Sequence, residues 1–320
     1  MASFGQEYID GFAKSIASRS PKTLRAYLGN VHRFVDWLAT QPGGHPFTPS
    51  QITETAISSY LNYLKKEGRA PSTRRQALAA IRRFCRWSIN EGHLNRNPAT
   101  EIVRPTVVNL APRELTANQR YVLKNRAEAE QSPRQAAIFS LGYWAGLRVS
   151  EVAQLKVADC QINQRSGQIV ISDGKGGKSR TIDLHNEVRR TLYTYLHKTP
   201  PASREARDPA SDYAFTSQRA GWLRQQERPD HLSVRGIEYL WTKLKKHARV
   251  DEYELIHDIR FHDLRHDFAH RAREAGWTLE EIAVYLGHQT QDGAPAIMTT
   301  ARYTLPSRKQ LKRKLKDLQG

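Results

Sequence analysis

Residues 261–270 read FHDLRHDFAH. Three histidines, one arginine and two aspartates fall among the apolar Phe261, Leu264, Phe268 and Ala269. The apolar spacing fits a helix, and positions three apart on a helix share a face. His262 and Arg265 therefore direct an imidazole and a permanent cation the same way, toward something negative. A planar guanidinium binds two oxygens of one phosphate or carboxylate at once, which an ammonium cannot do. An imidazole beside it supplies a base or a hydrogen-bond donor near neutral pH.

Four other stretches carry residues of the same kind. GLRVSEVAQL places Arg148 after a glycine turn, with Glu151 three positions on. DGKGGKSR places Lys175 at a turn, with Lys178 and Arg180 behind it. YLGHQT holds His288, and TTARYT holds Tyr303. Singly these are weak signals. An arginine after Gly-Leu ordinarily makes a surface ion pair, a GKG turn is ordinarily only a turn, and a helix histidine or terminal tyrosine ordinarily packs.

Positioning such groups takes a large fold, and 320 residues leave room for two domains. Apolar content of 39% is enough for cores, so disorder is excluded as the general state. Fifty Lys and Arg against 32 Asp and Glu leave a formal charge of +18 and a pI near 10. That balance calls for a polyanionic partner, nucleic acid first. No apolar run approaches membrane-spanning length, and the first residues lack a signal-peptide core, so a cytoplasmic protein without membrane contact is expected. Two cysteines in apolar contexts, Cys85 and Cys160, make neither a disulfide framework nor a zinc site. No Walker loop, HExxH or paired-carboxylate metal site occurs, and no cofactor is expected.

The N-terminal third reads as helices. Ser20 and Pro21 open one, with Leu24, Tyr27, Leu28, Val31, Phe34, Val35 and Leu38 as its stripe. TETAISSYLNYLKKEG forms a second, with Ile57, Tyr60, Leu61 and Leu64 inward and Gly68 as terminator. APSTRRQALAAIRRFCRWSINEG forms a third, with Leu78, Ile81, Phe84, Cys85 and Ile89 as its core face. Its other faces carry Arg74, Arg75, Arg82, Arg83 and Arg86 almost without carboxylates, a phosphate-facing rather than merely solvated surface. Prolines 98, 105 and 112 then mark an extended linker. Beyond it come a helix opened by a Thr116/Gln119 capping box, a buried helix ending at Gly146, a hairpin over GQIVISDGKGGKSRTIDL and a short strand over 213–217. Helices follow from Ser233 and after a Thr278/Glu281 box, and a short basic helix ends the chain.

Taken together and in this order, GLRxSE, GKGxKxR, HDLRH, LGH and RYT resemble the tyrosine recombinases, the phage-integrase, Xer and Cre-like site-specific DNA recombinases. The resemblance covers nearly the whole chain. It implies a mainly helical protein with a small β-sheet, made of a helical core-binding domain (1–105), a linker (106–114) and a catalytic domain (115–320) with a basic C-terminal helix. No separate arm-site domain is expected before the first helices. It implies that Arg148 and Arg265 clamp the scissile phosphate and that Lys175 protonates the leaving oxygen. His262 and His288 act as base or phosphate donors, and Tyr303 is the nucleophile.

Glu151 matches an acidic position of the family and orients a cation. Asp263 and His266 are structural supports, while Lys178 and Arg180 are DNA contacts and Lys178 is the fallback acid. The implied partners are duplex DNA with a specific recombination site and other copies of the chain, four to a synapse, engaged through the C-terminal helix. The stretch between His288 and Tyr303 is longer than the family's usual spacing, which suggests a loop before the nucleophile's helix. Tyr285 is the nearest competing tyrosine and reads as core. The rivals are a type IB topoisomerase, which shares this chemistry, and a DNA-binding regulator that has lost it.

Overall fold

The computed structural model describes residues 5–107, 113–130, 132–172, 179–200, 203, 206–290 and 292–303, with Ala220, Arg302 and Tyr303 described by backbone alone. Lys175, Lys178 and the basic tail after Tyr303 lie outside the described residues. The chain divides into two compact units, Met1–Asn109 and Leu110–Gly320.

The first unit is helical: α1 Gln6–Ser15, α2 Pro21–Ala39, α3 Glu54–Lys66 and α4 Pro71–Asn90. The starts follow local chemistry. The Ser20 hydroxyl accepts from the Thr23 N–H ahead of Pro21, and the Thr53 hydroxyl accepts from Ala56. Phe12, Val31, Phe34, Ile57, Tyr60, Leu78, Ile81 and Phe84 meet in its core. Helix α1 carries no apolar stripe long enough to announce itself, yet buries Ile9 and Phe12. The proline-bearing stretch after α4 is linker only in part. Arg82 donates from Nε to the Ala99 carbonyl at 2.9 Å and from Nη2 to those of Thr100 and Ile102, drawing Ala99 and Ile102 into the core.

The second unit is helical around one small sheet. Strands β1 Cys160–Ile162, β2 Gly167–Ser172 and β3 Ser179–Asp183 run antiparallel in that order. The hairpin strands are β2 and β3, and Ile169, Ile171 and Ile182 face the core. Strand β1 is three residues long, too short to show a period. The stretch 213–217 makes two isolated bridges, Lys156 to Tyr213 and Thr216 to His231, instead of the expected strand. Helices α5 Ala117–Ala129, α6 Pro133–Tyr143, α7 Val149–Gln154, α8 Asn186–Tyr193, α9 Ala220–Gln225, α10 Val234–Lys246, α11 Val250–Ile256, α12 Phe261–Glu274, α13 Leu279–Leu286 and α14 Ile297–Tyr303 complete it. The Thr116/Gln119 and Thr278/Glu281 boxes are both formed, and Ser233 caps α10. Among the described residues no helix is long and apolar enough to cross a membrane.

Helix α6 is buried along most of its length and carries α12 against it. Asp267 of α12 is fully buried and ties the opening of the unit to this pair. It accepts from Arg120 Nε of α5 at 2.8 Å, from the Leu115 N–H at 3.3 Å and from Arg271 Nε at 2.9 Å. Arg271 in turn lies 4.0 Å above the Tyr143 ring. Removing one member of a buried ion-pair network leaves the other charges uncompensated. Asp267→Ala is therefore expected to destabilise this unit by about 3 kcal/mol. Urea unfolding should show it, and a midpoint like the wild type's would contradict it.

Candidate active site

Two glycine turns and one helix start build the site. The chain leaves α6 through Gly146, at φ 60°, buries Leu147 and sets Arg148 at the N-cap of α7. Glu151 reaches back from the first turn and accepts from the Arg148 N–H at 2.8 Å and from its Nη1 at 2.7 Å. The GLRVSE stretch is thus a helix cap and an ion pair at once. The same carboxylate receives a two-point contact from Arg180 of β3, both nitrogens at 3.1 Å, and Arg265 Nη1 lies 3.7 Å from it.

Arg180 was expected on DNA, and the structure assigns it elsewhere. Its guanidinium forks onto Glu151 and its Nε donates to the Tyr285 carbonyl at 3.0 Å, so the group is a strut between the hairpin and α13. Gly287, at φ 67°, lies under that guanidinium, and a Cβ there would come within 2.7 Å of it. Glycine in the YLGH stretch is required by close approach as well as by the turn.

Arg265, on α12 as expected, is fully buried. It donates to the carbonyls of Gly146 at 2.7 Å and Leu286 at 2.6 Å, and its Nη2 lies 2.9 Å from His288 Nε2. Arg148 is the outer of the two, one-third exposed. Three guanidiniums thus share one carboxylate. Burial opposes the charge on Glu151, but the Arg180 hydrogen bonds and the surrounding arginine charges outweigh it and hold the carboxyl below its usual range. The surplus of positive charge suits an anion.

The histidines beside this surplus stay neutral. His288 is buried, and desolvation followed by the Arg265 and Arg148 charges pushes it down to about 3. His262 is lowered by the same causes in the same order, desolvation and then Arg265. His266 sits edge-on to His262 with ring centroids 4.6 Å apart, and burial with His262 and Arg265 nearby takes it to about 3. Asp263 accepts from the Arg260 N–H at 2.8 Å and caps the helix that carries His262 and Arg265.

The long spacing after His288 closes on itself. Gln289 bridges to Pro295, Thr290 N–H donates to Ala294, and Ala296 N–H returns to the His288 carbonyl. Helix α14 therefore starts beside His288 and packs against α12 and α13 of its own chain. Tyr303 is its last residue, three positions beyond Thr300. Thr300 is fully buried, with its hydroxyl 3.0 Å from His288 Nδ1, and no motif had marked it. Tyr285 donates its phenol to the Asp183 carbonyl at 3.2 Å and stacks on Phe268, and burial raises it to about 12. That is a packed tyrosine, not a poised nucleophile.

Elsewhere, Arg75 and Arg86 are exposed and Arg74 and Arg83 half-buried on α4. With Arg19 and Arg104 several of them line a cavity of about 430 Å³ in the first unit. Arg82 lines it too, and its guanidinium is engaged by three carbonyls of the segment after α4. Among the described residues no three His, Cys, Asp or Glu converge as metal ligands would.

This constellation, on a helical unit with a three-stranded sheet, defines a member of the phage integrase family, the tyrosine recombinases, and the chain belongs to it. The phage integrase family pattern matches residues 113–309, and the phage integrase N-terminal SAM-like domain matches residues 12–92. Tyrosine recombinase XerC of Pelotomaculum thermopropionicum is 30% identical over 273 residues, 84% of each chain. Tyrosine recombinase XerD of Listeria innocua is 26% identical over 92% of this chain and 91% of its own. In fold, the chain resembles the lambda integrase dimer bound to a COC′ core site, with a TM-score of 0.66 and 18% identity over 93% of this chain and 94% of that one.

The depressed histidines have a consequence for stability. Folded His288 and His266 stay neutral down to about 3, whereas the unfolded chain protonates each near pH 6.5. Above that value neither state binds the proton and the two groups add no pH dependence. As pH falls below it the unfolded state takes up protons that the native state refuses, so stability drops, by roughly one proton's slope per histidine. Between pH 6 and 5, His288→Gln should remove about one proton from the slope of unfolding free energy against pH. An unchanged slope would contradict the burial argument.

Proposed function

We propose that the chain is a site-specific DNA recombinase that breaks and rejoins duplex DNA through a 3′-phosphotyrosine link. The observation that carries this reading is the cluster of Arg148, Arg180 and Arg265 around the single carboxylate of Glu151, with neutral His262 and His288 beside it. Such a site attracts an anion, and the neutral imidazole of His262 can take a proton.

In this mechanism Arg148 and Arg265 hold the non-bridging oxygens, where charge grows during in-line attack. Arg265 must exchange a carbonyl or His288 partner for phosphate, because it is closed to solvent here. The Tyr303 oxygen forms a bond to phosphorus as its proton passes to a histidine. The bond to the 5′-oxygen breaks, and Lys175 gives that oxygen its proton. Rejoining reverses these steps. The ester keeps the bond energy, so the exchange itself requires no nucleotide cofactor. Arg74, Arg75, Arg83 and Arg86, with Lys178, serve as phosphate contacts in this reading. The partners are duplex DNA bearing a recombination site and further copies of the chain, a tetramer at synapsis held through residues 306–320. The activity belongs in the cytoplasm, with its DNA.

Tyr303→Phe removes one hydroxyl and leaves every cation in place. It should bind site DNA like the wild type and form no denaturation-resistant DNA adduct. An adduct from this variant would send the search for the nucleophile elsewhere. Arg265→Ala keeps the nucleophile but should lose roughly 3 kcal/mol of transition-state stabilisation. Lys175→Ala should cleave ordinary DNA very slowly yet recover on substrates with a 5′-bridging sulfur, which leave without a proton. Failure to recover would make Lys175 a binding residue and Lys178 the acid.

A further inference from the structure

The donors and acceptors around His288 leave its ring a single arrangement. An arginine has only N–H groups to offer, so at 2.9 Å from Arg265 Nη2 the His288 Nε2 must be the acceptor and carry no proton. The proton of a neutral ring then sits on Nδ1. That nitrogen faces the Thr300 hydroxyl at 3.0 Å. The hydroxyl has one hydrogen, which it donates to the Ala296 carbonyl one turn back at 3.3 Å, leaving a lone pair for the Nδ1–H. All three side chains are buried, so each bond has little competition from water.

The link also crosses elements. Thr300 sits in the middle of α14, one turn before Tyr303, while His288 follows α13 and Arg265 belongs to α12. The Thr300 hydroxyl therefore takes the proton-bearing nitrogen of the tautomer that Arg265 selects, and it ties the tyrosine's helix to the phosphate-binding arginine.

We propose that Thr300 is a positioning residue for DNA cleavage: its hydroxyl accepts from His288 Nδ1–H, holds Nε2 as the acceptor beside Arg265, and registers the helix that ends in Tyr303 against both. This rests on the recombinase reading. It adds a residue outside the arginines, histidines, lysine and tyrosine that the chemistry uses directly. A hydroxyl at this point does what a carboxylate or carbonyl does behind many functional histidines, fixing ring and tautomer from the far side.

The test uses full-length protein and two substitutions. Thr300→Val keeps the branched shape and loses the hydroxyl, and Thr300→Ser keeps the hydroxyl. The substrate is a nicked duplex cut from DNA that the wild-type protein traps covalently. Single-turnover adduct formation should fall roughly tenfold in Thr300→Val and stay within about twofold of wild type in Thr300→Ser, with DNA binding and melting temperature little changed in both. Nitrogen-15 spectra of labelled histidine supply a readout independent of activity. His288 should show a protonated Nδ1 and a bare Nε2 in wild type and in Thr300→Ser, and in Thr300→Val the Nδ1–H, stripped of its acceptor, should move to the position of an unbonded N–H. A valine variant with wild-type cleavage rate and a wild-type Nδ1–H signal overturns the proposal. Loss of cleavage in both variants with the Nδ1–H signal unchanged also overturns it, because the defect would then be one of packing. If the wild type traps no DNA, the recombinase reading fails, and the Nδ1–H signal of His288 alone decides whether Thr300 holds it.

Discussion

The second unit is organised around one carboxylate. Glu151 sits where α7 begins, the hairpin ends and α12 passes, and it faces Arg148, Arg180 and Arg265 from those three elements. A lone buried carboxylate would be costly, and so would a lone buried guanidinium. Together they remain unequal, since three cations meet one anion. The rest of the neighbourhood answers that inequality with dipoles. Main-chain carbonyls of Gly146, Leu286, Gly287 and Tyr285 point at the guanidiniums. Those carbonyls are turned inward at helix ends, where they lack a helical partner of their own.

This arrangement explains why glycines flank the functional arginine and histidine. Gly146 and Gly287 both take positive φ, and both lie where a side chain would strike a neighbour, Phe268 in one case and Arg180 in the other. The carbonyls of Gly146 and Leu286, at these turns, both reach Arg265. The turns also place Arg148 and His288 just after the bend, so the position of these side chains is set by the backbone turns. Burial first, and the arginine charge that remains second, keep His262 and His288 unprotonated. A site that is positive by construction need not borrow charge from its histidines.

Much of this was legible from the chain alone, and the reason is locality. Caps at Ser20, Thr53, Thr116, Ser233 and Thr278 lie within three residues of the groups they satisfy, so their helices announce their own starts. Arg148, His262 and Arg265 lie at helix starts as their local sequence indicates. What local pattern does not encode is partnership across the fold. Arg180 looks like a DNA-facing residue on a basic hairpin, and only its approach to Glu151, 29 positions away, makes it a strut. Arg82 sits in an arginine row and becomes a strut through carbonyls 17 to 20 positions on. Helix α1 and strand β1 were missed because ten and three residues show no dependable period.

The segment between His288 and Tyr303 joins the two kinds of information. Its length stands out in the sequence, and Asp292, Gly293 and Pro295 suggest a loop. Length alone predicts a longer tether and a freer α14. The hydrogen bonds decide otherwise. The return of Ala296 N–H to the His288 carbonyl closes the excursion at its base, and the Thr290–Ala294 pair closes it again one step out. Closing a few more residues into a loop costs little, since that entropy grows only with the logarithm of length. The excursion is therefore fixed at its base, and the first turn of α14 begins beside the histidine. The Thr300–His288 bond, one turn beyond the stem, ties α14 to the same histidine that closes it.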